Sequence, residues 1–136
     1  MKVEGQCHCG QIAYTAEVDP AKVTLCHCVD CQILSGGPYI ATVAAATGTF
    51  KLIYGEIHHY VKGSAESGRK RLHGMCTNCG TRLYAASVED PRAYSLRTGP
   101  LKQRNEFKPS RRIWCDSAQK WSENLAGIEQ VAKQPG

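Results

Sequence analysis

The chain has 136 residues with six prolines, thirteen glycines and eight cysteines, and a formal net charge of +5. That length suits one small domain, residues 1–136, with a modest core. No apolar run approaches the ~20 residues that cross a bilayer as a helix, which argues against a membrane partner. Met1 to Gln6 lacks the apolar centre of an export signal. A cysteine-rich chain without such a signal is expected in the cytoplasm, where close cysteine pairs read as metal ligands before disulfides. The basic balance is weak evidence for a nucleic-acid partner, because metal-bound thiolates would bring the total nearer neutral.

Cys7-His8-Cys9-Gly10 forms the first cysteine pair. Gln11 to Val18 then alternates, with Ile12, Tyr14, Ala16 and Val18 on one side, which predicts a half-buried strand. Asp19-Pro20 is expected to turn the chain, and Val23 to Leu25 to lead extended into Cys26-His27-Cys28-Val29-Asp30-Cys31. Gln32 to Pro38 reads as a loop whose Ser35-Gly36-Gly37 offers backbone N–H groups near the cysteines. Tyr39–Val43, Phe50–Tyr54 and His58–Val61 read as strands, and Lys62–Lys70 as an exposed hairpin tip. Arg71–Met75 leads into Cys76-Thr77-Asn78-Cys79-Gly80, and Thr81–Ala85 leads out, so this pair is expected at the tip of a hairpin. Ala93–Arg97 is another strand, Gly99–Pro109 a loop, and Arg111–Trp114 a last short strand. Trp121, Leu125 and Ile128 stand at helical spacing, with Gly127 weakening the helix. The last residues, through Gln134-Pro135-Gly136, are expected to fray. The pattern is that of a mostly β chain.

Seven of the eight cysteines fall into groups of two, three and two, a zinc signature. Structural zinc takes four protein ligands, whereas catalytic zinc keeps three and leaves one position open. Cys7, Cys9, Cys76 and Cys79 make one complete site, and a shared metal there would tie the N-terminal strand to a mid-chain hairpin. Cys26, Cys28 and Cys31 are then one ligand short. An open site is one reading. A closed site completed by Cys115, His73, His58 or His59 is a second, and a metal-free redox trio a third. His8 and His27 each lie between two cysteines, where extended backbone turns them to the opposite face. Cys115 is the unassigned thiol, Asp30 reads as a turn former, and Arg69-Lys70-Arg71 and Arg111-Arg112 read as solvated charge.

These groups, in this order and spacing, resemble the glutathione-dependent formaldehyde-activating enzyme family, whose domain also occurs in centromere protein V. The matching landmarks are Gly5-x-Cys7-x-Cys9-Gly10, Cys26-His27-Cys28-x-x-Cys31, Ser35-Gly36, Cys76-x-x-Cys79-Gly80-Thr81, Gly99-x-Leu101 and Trp121. Gln32-Ile33-Leu34 departs from the more polar residues that commonly follow the trio. The resemblance implies a zinc-stabilised β-tent of antiparallel sheets with two Zn2+ per chain. Cys7, Cys9, Cys76 and Cys79 match its structural zinc, and Cys26, Cys28 and Cys31 its catalytic zinc. It implies a carbon–sulfur lyase-type activity that adds glutathione, or a related thiol, to formaldehyde or another small aldehyde to give S-hydroxymethylglutathione. The N–H groups of Ser35, Gly36 and Gly37 are the expected oxyanion donors. Arg82, Arg97 and Lys51 are candidates for the glutathione carboxylates. The competing class is a non-catalytic two-zinc module that binds a protein or nucleic acid through its basic edges.

Overall fold

A computed structural model describes residues 1–63, 68–90 and 92–135. Nine strands follow one another: β1 (Lys2–Gln6), β2 (Ala13–Cys26), β3 (Ile40–Ala45), β4 (Lys51–Tyr54), β5 (His58–Lys62), β6 (Arg71–Met75), β7 (Arg82–Ser87), β8 (Tyr94–Arg97) and β9 (Pro109–Ile113). One α-helix, α1 (Val29–Ser35), interrupts them, and three short 3₁₀ turns lie at 104–106, 115–117 and 120–123. The strands join in the order β1-β2-β3-β8-β7-β6-β5, with β4 and β9 also paired to β2. All pairs are antiparallel except β2 with β9. The mostly β, tent-like architecture expected of the sequence is therefore observed.

β2 is the shared strand. Its first half pairs β1 and β4, and its second half pairs β3 and β9, with a register irregularity between Val18 and Val23. The expected turn at Asp19-Pro20 is corrected to this bulge within a continuous strand. Pro20 has no N–H to give to a ladder, and an irregular stretch tolerates that loss. The alternation of Ile12, Tyr14, Ala16 and Val18 is real, since all four are buried.

Period-two alternation gives the sheet two chemically distinct faces. The register places Val23, Val43, Leu96 and Tyr84 side by side across β2, β3, β8 and β7, and all four belong to the apolar core. Phe50 stacks on Tyr94 with ring centroids 4.3 Å apart and meets Tyr84 edge-on at 5.3 Å, extending that core. Gly74, opposite Tyr84, makes room for its ring: a Cβ there would lie 2.6 Å from the ring carbon Cζ. The other face carries the neighbouring positions on the same strands, where Thr24, Thr42, Ser95 and Arg97 stand among Ala44 and Ala85.

Three further expectations change. Gln32–Pro38 is not a loop, because its first half is the end of α1. Cys28 Sγ caps that helix by accepting from the Cys31 N–H at 3.2 Å, and Gly36 closes it in the left-handed region. The helical spacing of Trp121, Leu125 and Ile128 yields only the 120–123 turn, and Gly127 takes φ 84. All three side chains are exposed, so no buried face supports a longer helix. The hairpin tip expected at 62–70 lies partly outside the described residues. None of the described helices is long and apolar enough to cross a membrane.

Candidate metal centres and the basic cavity

Two groups of thiols converge. Cys7, Cys9, Cys76 and Cys79 bring four sulfurs together, and Cys26, Cys28 and Cys31 bring three, with the sulfurs of each group all within 4.8 Å of one another. The first group is built from two matching turns. After β1, the Gly10 N–H donates to Cys7 O at 3.0 Å, and after β6 the Gly80 N–H donates to Cys76 O at 2.9 Å. Gly10 and Gly80 take φ 82 and 77, a conformation that side chains with a Cβ rarely adopt. The turns are stitched together where the His8 N–H donates to Thr81 Oγ1 at 3.0 Å.

A tetrahedron of sulfurs about 2.3 Å from zinc has edges of about 3.8 Å. Cys7 and Cys9 stand 3.6 Å apart, and Cys9 and Cys76 3.8 Å. The Ile12 N–H donates to Cys7 Sγ at 3.3 Å, as thiolate ligands require. Burial pushes the Cys7 thiol up to about 11, while the hydrogen bond with Thr81 pulls Cys79 down to about 5. A soft cation bound here would take the sulfurs as thiolates, with release of protons. The four-cysteine group fits a metal.

The trio sits elsewhere, where the end of β2 meets α1. The contact with Cys31 pulls Cys26 down to about 5, and the same contact pushes Cys31 up. Among the described residues no fourth His, Cys, Asp or Glu joins the trio. Cys115 lies exposed in the 115–117 turn. His58 and His59 stand on β5, with His59 Nε2 2.7 Å from Tyr84 Oη. His27 is buried and accepts from Arg112 Nε at 3.1 Å, and Arg112 is paired with Glu123. Gln32 donates to the carbonyls of His27 and Ser117 at 2.8 and 3.0 Å and accepts from Gln119. The trio is thereby fastened to the C-terminal segment on one side.

On its other side the trio opens onto a cavity of about 920 Å³. The floor is the face of the sheet opposite the apolar core, read directly from the register. Ile113, Cys26 and Ile40 form one row, Arg111, Thr24, Thr42 and Arg97 a second, and Ala44, Ser95, Ala85 and His73 a third. Among the described residues five cations line the cavity, Lys22, Lys62, Arg71, Arg97 and Arg111, against one carboxylate, Asp30, which is paired with Lys62 at 2.9 Å. Trp114, at the mouth, takes φ 57, a strained value for a residue with a Cβ.

The structure brings Cys26, Cys28 and Cys31 together and does not bring Ser35, Gly36 and Gly37 to their cavity. Ser35 Oγ accepts from the Gly37 N–H at 3.1 Å, the Gly36 N–H donates to Gln32 O at 2.9 Å, and none of the three lines the cavity. Of the carboxylate candidates only Arg97 reaches it; Lys51 and Arg82 do not. Arg71 and Arg111, read from the sequence as solvated charge, are corrected to cavity-lining cations, and Lys22 and Lys62 were not singled out, because positions 22, 62, 71 and 111 become neighbours only through strand pairing. Alternation was an available signal only for Arg71 and Arg111, each two residues from another cavity-lining residue, His73 and Ile113, because the predicted strands began after Lys22 and ended before Lys62.

Comparison with known proteins accords with this geometry. A protein of Schizosaccharomyces pombe named an uncharacterized lyase is 32% identical over 93 residues, 68% of this chain and 64% of that protein. The chain thus matches somewhat less than two thirds of that relative's length. A crystal structure of a Rhodobacter sphaeroides protein shares the fold, with a TM-score of 0.62 at 20% identity, covering 82% of this chain and 99% of the other. The family model described as glutathione-dependent formaldehyde-activating enzyme matches residues 2–117, a span that holds both cysteine groups and every cation of the cavity, and the chain belongs to that family.

Proposed function

We propose that the protein is a zinc-dependent carbon–sulfur lyase-type enzyme that joins glutathione, or a related small thiol, to formaldehyde or another small aldehyde. Family membership and the lyase name of the yeast relative support this reading. The observation that carries it is the three-sulfur group, one ligand short of a tetrahedron among the described residues, opening onto a cavity lined by five cations.

Zinc held by Cys26, Cys28 and Cys31 would supply one open position that keeps a substrate sulfur as thiolate. The chain's own residues supply the rest. Lys22, Lys62, Arg71 and Arg111 draw an anionic thiol into the cavity. The Cys31 N–H bonded to Cys28 Sγ and the Gln32 bridge to Ser117 hold the trio rigid, so the thiol and aldehyde meet in a fixed orientation. In the reaction the sulfur attacks the carbonyl carbon, a C–S bond forms, and the π pair moves to oxygen. The proton lost by the thiol ends on that oxygen, giving the S-hydroxymethyl adduct. Cys7, Cys9, Cys76 and Cys79 would hold a second zinc with all four positions filled, which fixes β1 and β2 to the β6–β7 hairpin.

Carbon-13 exchange spectroscopy on labelled formaldehyde and glutathione tests this. The zinc-loaded protein should exchange label between formaldehyde hydrate and the adduct at least about tenfold faster than buffer alone. Exchange at the buffer rate with every thiol tried would overturn the proposal. Steeply salt-dependent binding of nucleic acid without any rate effect would instead favour a non-catalytic module.

A further inference from the structure

The five cations of the cavity are not equivalent. Lys22 and Arg111 are exposed, Lys62 and Arg71 are half-buried, and Arg97 is only 8% exposed. Among the described residues Arg97 has no carboxylate partner. Among the described residues its one side-chain hydrogen bond runs from Nη2 to His73 Nδ1 at 3.4 Å, which leaves its other side-chain N–H groups without an acceptor there, on a residue that lines the cavity. Burial pulls the guanidinium down to about 10, and the charges of Cys31 and Cys26 pull it back up. A cation so deeply buried without a carboxylate is costly unless an anion comes to it.

Strand pairing says where that anion would sit. Arg97 is opposite Thr42 on β3, and Thr42 is opposite Thr24, two residues before Cys26. With strands about 4.8 Å apart, Arg97 starts about two strand spacings from the β2 backbone that carries Cys26. The Nη2 held by His73 lies toward β6, on the other side of β8 from β2, so what Arg97 and the trio share is the cavity that both line. The exposed cations at the rim suit carboxylates that stay in contact with water. The buried one suits charge that appears only at the floor of the cavity that the sulfurs also line.

We propose that Arg97 is a catalytic residue that binds the aldehyde oxygen as negative charge develops on it, and that His73 is the residue that positions it. This rests on the thiol–aldehyde reading above. When the thiolate sulfur bonds to the carbonyl carbon, the π pair moves to the oxygen, where the free guanidinium N–H groups receive it. The proton released when the thiol ionised returns to that oxygen through water. Because Arg97 donates to Nδ1, His73 is neutral with its hydrogen on Nε2. It therefore orients the guanidinium without adding a competing positive charge.

The test uses full-length zinc-loaded protein and two independent readouts, steady-state kinetics and calorimetric titration with formate, a small anion with an aldehyde-like oxygen. Arg97→Gln should lower kcat about 10²- to 10³-fold, leave KM for the thiol within about threefold, and weaken formate at least about tenfold, with two zinc ions retained. Lys102→Gln, an exposed charge deletion outside the cavity, should change none of these. Should Arg97→Gln fail to fold, Arg97→Lys keeps the charge without the planar fork and should still lose at least about tenfold in kcat. Full kcat in the folded variant with a raised thiol KM would overturn the proposal and make Arg97 a carboxylate grip, as would unchanged formate binding. A wild-type protein that binds formate through Arg97 but accelerates no thiol–aldehyde reaction would sink the proposed function while leaving the anion site standing. An active wild type with an equally active Arg97→Gln variant would do the reverse.

Discussion

The two cysteine groups use the same side chain in different settings. Cys7, Cys9, Cys76 and Cys79 hang from two glycine-closed turns, and Cys7 and Cys76 are buried against the apolar core. The four sulfurs converge, Cys9 being exposed, with hydrogen bonds from one turn to the other, and none of the four residues lines the cavity. Cys26, Cys28 and Cys31 belong to a strand end and a seven-residue helix, are half-buried, and face a cavity rich in cations. Backbone geometry makes the difference. Paired turns supply two ligands each and complete a tetrahedron, whereas a strand running into a helix supplies three and leaves one direction open. We read the first group as structural and the second as catalytic.

The sharpest way to break this comparison is to remove one sulfur from each group. Cys76→Ser should lose a zinc and lower Tm by about 10 °C or more, read by thermal melting and metal analysis. Cys31→Ser should lose the other zinc with Tm changed by less than about 3 °C, while activity falls more than about 100-fold. Equal melting losses in the two variants would erase the distinction.

Changes outside both groups sharpen it. Gly74→Ala would push a Cβ into the Tyr84 ring, and overpacking there should cost about 2 kcal/mol, lowering Tm by about 5 °C with activity per folded molecule kept. His73 supplies a pH test. Burial first, and nearby Arg97 next, hold its imidazole down to about 4, whereas in the unfolded chain it titrates near the ordinary value of about 6.5. Between those values the unfolded chain binds more protons, so stability falls as pH drops through that window. His73→Gln should flatten the acid side of the Tm–pH curve. The smallest effect is expected at the Asp30–Lys62 pair, where Asp30→Asn should cost about 1 kcal/mol.

Much of this was legible in the sequence. Cysteine spacing gave both groups and the shortfall of the trio, and alternation from Ile12 to Val18 gave the core side of β2. The helix over Val29–Ser35 was not legible, because seven residues span too few turns to show a periodic apolar face, and its cap is a cysteine sulfur rather than a usual capping oxygen. Pro20 suggested a turn because its place in a bulge depends on partners on β3 and β9. The cavity was the largest omission. Its cations are scattered from Lys22 to Arg111, and only the pairing of seven strands, β9-β2-β3-β8-β7-β6-β5, puts them on one face. Trp121, Leu125 and Ile128 carried a real helical spacing with no surface to bury it.

Cobalt substitution followed by glutathione titration tests the central claim most directly, because Co2+ reports sulfur coordination in its visible and charge-transfer bands. The account predicts two tetrahedral thiolate centres. One should change saturably as glutathione is added, and the other should stay constant. Loss of the responsive signal in Cys31→Ser, with the constant one kept, would assign it to the trio. Two centres that both ignore glutathione and smaller thiols would contradict an open site at Cys26, Cys28 and Cys31.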